Sequence, residues 1–223
     1  MPGGPIGAPD LLPPPSGDVL QQGLDEWERW IHNVDIPLLM RIAIGHYQFE
    51  ALHPFIDGNG RMGRLVAQLQ LVEGKVLAYP ILNLSPYLEP RADEYRETLR
   101  ELSVTGDRDP WLSFFLNAMR TQAEVASHRT QSLLLLREEL IDIVKKQGIR
   151  GVAVDIAGGL IGYPVTTPTF AARAYGVTYP AANSAIGRLE RVGILQELTG
   201  KSYGRLFVAP RVLSLISPDE PLR

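Results

Sequence analysis

HPFIDGNGRMGR, residues 53–64, is the stretch whose reading decides how the first part of this chain folds. Gly58 and Gly60 flank one small polar residue, Asn59, and such a run lets the backbone turn its N–H groups inward on an anion. Downstream, Met62, Leu65, Val66 and Leu69 recur at helical spacing and Gly74 is a stop signal, so a helix is predicted from about Gly60. The N-terminus of that helix points at the same anion. Upstream, IPLLMRIAIGHYQFEAL repeats apolar residues at helical period and must end near His53, because Pro54 disfavours helical geometry in the residue before it. The stretch is therefore a loop between two helices, shaped to hold phosphate.

Its polar residues suit that task. Asp57 can hold Mg2+, which takes few protein carboxylates and completes its octahedron with waters and phosphate oxygens. Arg61 and Arg64, three apart on the first helical turn, project from neighbouring positions and can grip the distal phosphates of a triphosphate. An imidazole at the loop entrance, His53, can take a proton from an attacking hydroxyl near neutral pH, an effect of roughly 100- to 10,000-fold in rate.

Taken together, these residues match every fixed position of HPFx[DE]GNGRxxR, and the chain resembles the Fic domains that carry this signature. LLPPP from Leu11, HYQFEALHPF, NLSPYLEPRADEYRETL and DPWLSFFLNAM extend the resemblance over roughly residues 8 to 135. It implies a mainly α fold and transfer of AMP from ATP to a Ser, Thr or Tyr hydroxyl of a target protein, with release of pyrophosphate. Carried over residue by residue, it implies His53 as the base, Asp57 as the ligand of a Mg2+ bridging the alpha and beta phosphates, and Phe55 as a buried anchor of the loop. Gly58, Asn59 and Gly60 would form the anion hole, with Arg61 near the beta and Arg64 on the gamma phosphate. Ser85, Tyr87 and Tyr95 combine flat apolar surface with hydroxyls and are candidates for the nucleoside pocket. The family also carries an upstream flap that aligns the target, of which Gly- and Pro-rich residues 1–15 are expected to be a remnant. The self-inhibitory pattern [ST]xxxE[GN] of many Fic proteins is not found: Ser85 to Glu89 fits SxxxE, but Pro90 follows. Inhibition through Arg64 would then come from an N-terminal part outside this sequence or from a partner.

The 223 residues, 45% hydrophobic and 21% charged, describe an ordinary globular chain long enough for two small domains. No apolar run reaches 18 residues, so no membrane span or secretion signal is expected. The absence of cysteine excludes disulfides and thiolate metal sites and fits a cytoplasmic location. A net charge of -3 exerts no global pull on nucleic acid.

Helical signals dominate residues 16–147, the expected catalytic core. Leu20, Leu24, Trp27 and Ile31 form one stripe, Asp35 is a cap candidate for the helix from about Pro37, and Tyr95, Leu99 and Leu102 mark another helix. Asp109-Pro110 starts a further helix, whose helical character reaches Gly148. His46 is expected to pack at the core edge. Over residues 148–216 the pattern changes: Thr167-Pro168 and Thr178-Tyr179-Pro180 start two short helices at helix-turn-helix spacing, and ILQELTGKSYGRLFVAP reads as two strands around a glycine turn. This resembles the winged-helix domains that follow Fic cores in many bacterial proteins, giving a helical core followed by a small α+β winged helix-turn-helix domain, with a tail at 217–223. From Pro164 to Arg211, six Arg or Lys face Glu190 and Glu197, a local excess of +4. DNA, a protein partner or a second copy of the chain could bind there, with Ser184, Arg188, Lys201 and Arg205 as the candidate contacts. Two functions follow: a Fic protein adenylyltransferase, or a DNA-binding regulator whose Fic core senses nucleotide and catalyses little.

Overall fold

A computed structural model describes residues 17–201 and 204–216; the expected flap remnant, the tail and part of the strand turn lie outside them. The chain divides into two compact units, Met1–Ala126 and Ser127–Arg223.

In the first unit, α1 (Asp18–Ile31), α2 (Leu38–Leu52) and α3 (Asn59–Glu73) are followed by the short α4 (Ser85–Leu88), a 3-10 turn over Glu89–Arg91, α5 (Ala92–Thr105) and the start of α6 (Asp109–Lys146). The middle of α2 is buried on nearly all sides, with Ile42 and Ala43 fully enclosed and Ile44 almost so. Three indoles fix its neighbours by donating to its backbone: Trp27 Nε1 to Gly45 O (2.8 Å), Trp30 Nε1 to Arg41 O (3.1 Å) and Trp111 Nε1 to Ala43 O (2.9 Å). The one donor of each indole is thus satisfied, on the buried Trp111 and the half-buried Trp27 and Trp30 alike. Tyr95, Leu99, Trp111 and Phe115, all without exposed surface, complete this core.

One local expectation is corrected. Asp35 does not cap α2: its N–H donates to Asn33 Oδ1 at 3.0 Å, and Pro37 occupies the cap position with no side-chain bond. On α3, Met62, Leu65 and Leu69 are 39%, 41% and 49% exposed, whereas Gly63, Ala67, Gln70 and Leu71 are buried. The packed side of this helix combines the small Gly63 and Ala67, which allow close approach, with Gln70 and Leu71, and Met62, Leu65 and Leu69 lie on its outer side.

Helix α6 runs unbroken to Lys146, and the division between units falls inside it, earlier than the Gly148 signal suggests. Leu136, Leu140 and Val144 on its second half already belong to the second core. That core also takes in α7 (Val152–Gly159), α8 (Pro168–Ala174), α9 (Tyr179–Arg191) and α10 (Pro210–Ile216). Both predicted caps form, Thr167 accepting from Phe170 N (3.1 Å) and Thr178 from Ala181 N (3.4 Å). Strands β1 (Val165–Thr166), β2 (Gln196–Glu197) and β3 (Phe207–Val208) make an antiparallel sheet in the order β1-β3-β2, with Val165 and Gln196 both opposite Val208. Among the described residues, the chain is mainly helical with this one small sheet.

Candidate functional site

The loop between α2 and α3 is assembled from both helix ends. His53 closes α2 in the left-handed region (φ 45, ψ 55), its N–H donating to Phe49 O at 3.1 Å. A non-glycine residue there is strained, and such strain recurs where a side chain must be aimed. His53 is half-buried at the loop entrance. At the other end Gly58 (φ 88, ψ 7) sits in the left-handed region as the N-cap of α3, with no side-chain cap. The first N–H groups of α3 are therefore left without intrahelical partners, as an anion site requires.

Asn59 locks the loop. Its Oδ1 accepts from Phe55 N at 2.9 Å and its Nδ2 donates to Phe55 O at 2.6 Å, with the residue 97% removed from solvent. Its amide is thus spent on shape, leaving the backbone N–H for an anion. Phe55 departs from expectation: its ring is half exposed and only borders Phe49 (6.3 Å between centroids), so Asn59 anchors the loop through the Phe55 backbone.

Asp57 and Arg61 face solvent and form an ion pair at 3.2 Å, side chains 70% and 73% exposed. So exposed a pair contributes little to stability and can be exchanged for a ligand's charges. Asp57 is a single accessible carboxylate beside the anion site, a donor set that fits Mg2+ shared with phosphate, not a cage; no cluster of three metal-ligating side chains occurs among the described residues. Arg64 is half-buried on α3.

Beneath the loop lies a group that the sequence analysis missed. His46 is enclosed, not at the core edge: Nε2 meets Tyr95 Oη at 2.8 Å, and its ring stacks on Trp111 (6.0 Å, 10°) and tilts on Phe115 (4.8 Å). Glu50, one turn on, has Oε1 3.9 Å from His46 Nε2 and no exposed side-chain surface. Burial lowers the His46 pKa to about 4, opposed by the Gly63 backbone and assisted by Arg64. Burial also raises the Glu50 carboxyl to about 7, against the pull of Arg64 and Tyr95. The His46-to-Glu50 spacing of four, which puts both on one helix face, was the available signal.

Tyr95 must accordingly be removed from the nucleoside candidates, since it has no exposed surface and its hydroxyl serves His46. Ser85 and Tyr87 are half-buried on α4; Tyr87 packs edge-on against Phe114 (5.8 Å) with the Arg91 guanidinium 4.2 Å above its ring. In the second unit Ser184 and Lys201 are exposed and Arg188 is half-buried. Arg205 is turned inward, donating to Asn183 Oδ1 at 2.7 Å, 3.6 Å from Glu197 Oε2 and 5.1 Å from the Phe207 ring centroid. It is not free for a partner as drawn from sequence. No helix among the described residues is long and apolar enough to cross a membrane.

Residues 11–71, which contain the whole loop, match the Fic/DOC family model. The chain is similar to the protein adenylyltransferase Fic of Drosophila erecta, 30% identical over 127 residues covering 55% of this chain and 24% of that protein. The protein of the same name from Drosophila virilis is 28% identical over 126 residues, with the same coverage of each. The chain spans about a quarter of the length of these relatives. In fold it is similar to the crystal structure of a Fic family protein from Desulfovibrio desulfuricans G20, at a TM-score of 0.51 and 22% identity, over 92% of this chain and 59% of that one.

Proposed function

Starting from a chain that belongs to the Fic family through residues 11–71, we propose that it transfers AMP from ATP to a Ser, Thr or Tyr hydroxyl of a protein target. The observation that supports this is the loop between α2 and α3, with His53 in the left-handed region at its entrance, Gly58 leaving the first α3 N–H groups uncapped at its exit, and the exposed Asp57–Arg61 pair between them.

In this reading the backbone of Gly58, Asn59 and Gly60 receives the alpha and beta phosphates, Arg61 pairs with the beta phosphate and Arg64 with the gamma. His53 accepts the proton of the target hydroxyl while that oxygen bonds to the alpha phosphorus. The bond from this phosphorus to the beta-phosphate oxygen breaks, and pyrophosphate leaves with its electron pair. Asp57 would hold a Mg2+, which when bound supplies charge neutralisation across the alpha and beta phosphates. The protein's contribution is alignment and fixed positive charge. Ser85 and Tyr87 remain the candidates beside the nucleoside.

The second unit is proposed as a winged helix for target choice or placement. The order α7, β1, α8, α9, β2, β3 and the capped α8–α9 pair support this. Ser184, Arg188 and Lys201 are its proposed contacts to DNA or to a protein, including a second copy of the chain. A cytoplasmic setting and an inhibitory partner acting on Arg64 belong to the same proposal.

The test is transfer from ATP labelled on the alpha or the gamma phosphate, with Mg2+ and bacterial lysate. Label from the alpha position alone, lost in His53→Ala, is expected. Gamma label would mean a phosphotransferase, and no label would favour the nucleotide-sensing regulator.

A further inference from the structure

Ile56 stands wholly in solvent, the most exposed large apolar side chain among the described residues. A lone exposed isoleucine on a helix surface would be ordinary. This one sits on the loop between α2 and α3, where the two Asn59 bonds to the Phe55 backbone close residues 55–59 and hold it in place. The fold makes no use of its side chain: the clasp takes the backbone of Phe55 and the amide of Asn59, and the residues on either side are the half-exposed Phe55 and the Asp57 that pairs with Arg61. Three residues of chain span at most about 11 Å, so the Ile56 Cα lies within that distance of the His53 Cα.

We propose that Ile56, with the exposed edge of Phe55, is a docking point for the target protein, taking an apolar side chain of the target one to three residues from the acceptor hydroxyl. This rests on the reading of His53 as the base that receives that hydroxyl. A target segment must then lie against the loop each time its hydroxyl reaches His53. Extended chain advances about 3.3–3.6 Å per residue, so the next three residues of the target sweep the span that separates His53 from Ile56. The nucleotide phosphates are not what Ile56 meets, because they call for N–H groups and guanidiniums and an aliphatic side chain offers them nothing. An apolar side chain on a backbone already fixed loses little freedom on being covered, and its burial favours association. Beside it, Asp57 and Arg61 supply the polar rim of such a contact.

The probes are short synthetic peptides with a central Ser, Thr or Tyr, in which one position within three of the acceptor is Leu, Ser or Asp in an otherwise alanine and glycine background. Transfer to them from ATP labelled on the alpha phosphate is measured with the whole chain and Mg2+. For the unsubstituted chain, leucine at one of these positions is expected to raise kcat/KM about tenfold over serine, through KM, as burial of such a side chain allows. Ile56→Ser should abolish that preference and leave ATP affinity, read by titration calorimetry, unchanged, and Ile56→Val should retain the preference. Leu69→Ser, which removes an exposed apolar residue from the outer side of α3, should retain it as well. The proposal is overturned by the absence of a leucine preference, by one that survives Ile56→Ser or is lost in Leu69→Ser, or by weaker ATP binding in Ile56→Ser. Label on lysate proteins with none on any peptide would also overturn it. In each of these cases alpha label that depends on His53 leaves the transfer reading standing, so only this inference falls. No alpha label on either peptides or lysate proteins from the unsubstituted chain would overturn the transfer reading, and this inference with it.

Discussion

Replacing Gly63 by alanine tests the packing beneath the loop, because the same substitution should have opposite signs in two helices of this chain. A Cβ on Gly63 would lie 2.9 Å from His46 Cε1, 3.0 Å from His46 Nδ1 and 3.4 Å from Glu50 Oε1. The ring cannot step aside: Tyr95 holds one edge, Trp111 stacks on a face and Phe115 tilts against it. Alanine gains about 1 kcal/mol over glycine in a helix interior, whereas overpacking a filled site costs about 1–3 kcal/mol. A net loss of about 1 kcal/mol is expected. At Gly187, inside α9, a Cβ would meet nothing within 4 Å, and the full helix gain of about 1 kcal/mol should appear as stabilisation. Urea unfolding separates the two, since all three tryptophans, Trp27, Trp30 and Trp111, lie in the first unit. Gly63→Ala should lower the fluorescence midpoint, and Gly187→Ala should raise a circular dichroism transition without moving fluorescence. Stabilisation by Gly63→Ala would refute the close approach of α3 to His46.

His53→Ala should abolish transfer while leaving nucleotide binding largely intact, and loss of both would sink its role as base. His53→Gly should also abolish transfer but relieve the left-handed backbone, raising stability by about 1 kcal/mol relative to the alanine variant in the same denaturation assay. Asn59→Ala removes both bonds to Phe55 and should cost about 1–3 kcal/mol while weakening ATP and ADP alike, as titration calorimetry would read. The buried pair gives a pH signature. His46, lowered from 6.5 to about 4, contributes stability that is present above 6.5 and lost as pH falls through 4. Glu50, raised from 4.5 to about 7, contributes stability present below 4.5 and lost as pH rises through 7. Between 4.5 and 6.5 the two oppose each other, so the unsubstituted chain should show little slope from this pair. Glu50→Gln should lose stability on acidification there, and a variant with its parent's slope would contradict the assignment.

The motif and its flanking helices were legible because Pro54, the two glycines and the helical period act locally. The capped pair α8 and α9 was legible for the same reason, each Thr-Pro or Thr-Tyr-Pro run fixing its own helix start. What escaped reading depends on close approach between distant segments. Gly63 and Ala67 give no hydrophobic signal, yet they lie on the buried side of α3, and the exposed Met62, Leu65 and Leu69 give a strong one. Tyr95 has the chemistry of a nucleoside contact, and only packing against His46, 49 positions earlier, shows it spent elsewhere. Arg205 likewise is a surface cation by type and an internal tie by position, through Asn183.

The clasp between Asn59 and Phe55 bears on timing as well as shape. Two hydrogen bonds close residues 55–59 into a ring before any ligand arrives, so the ordering entropy of that segment is settled during folding. A nucleotide then meets N–H groups already aimed, and its arrival is governed by encounter with a fixed positive rim, not by loop rearrangement. The Phe55 amide should therefore exchange with solvent deuterium as slowly as a core amide, even though its ring stands half in water.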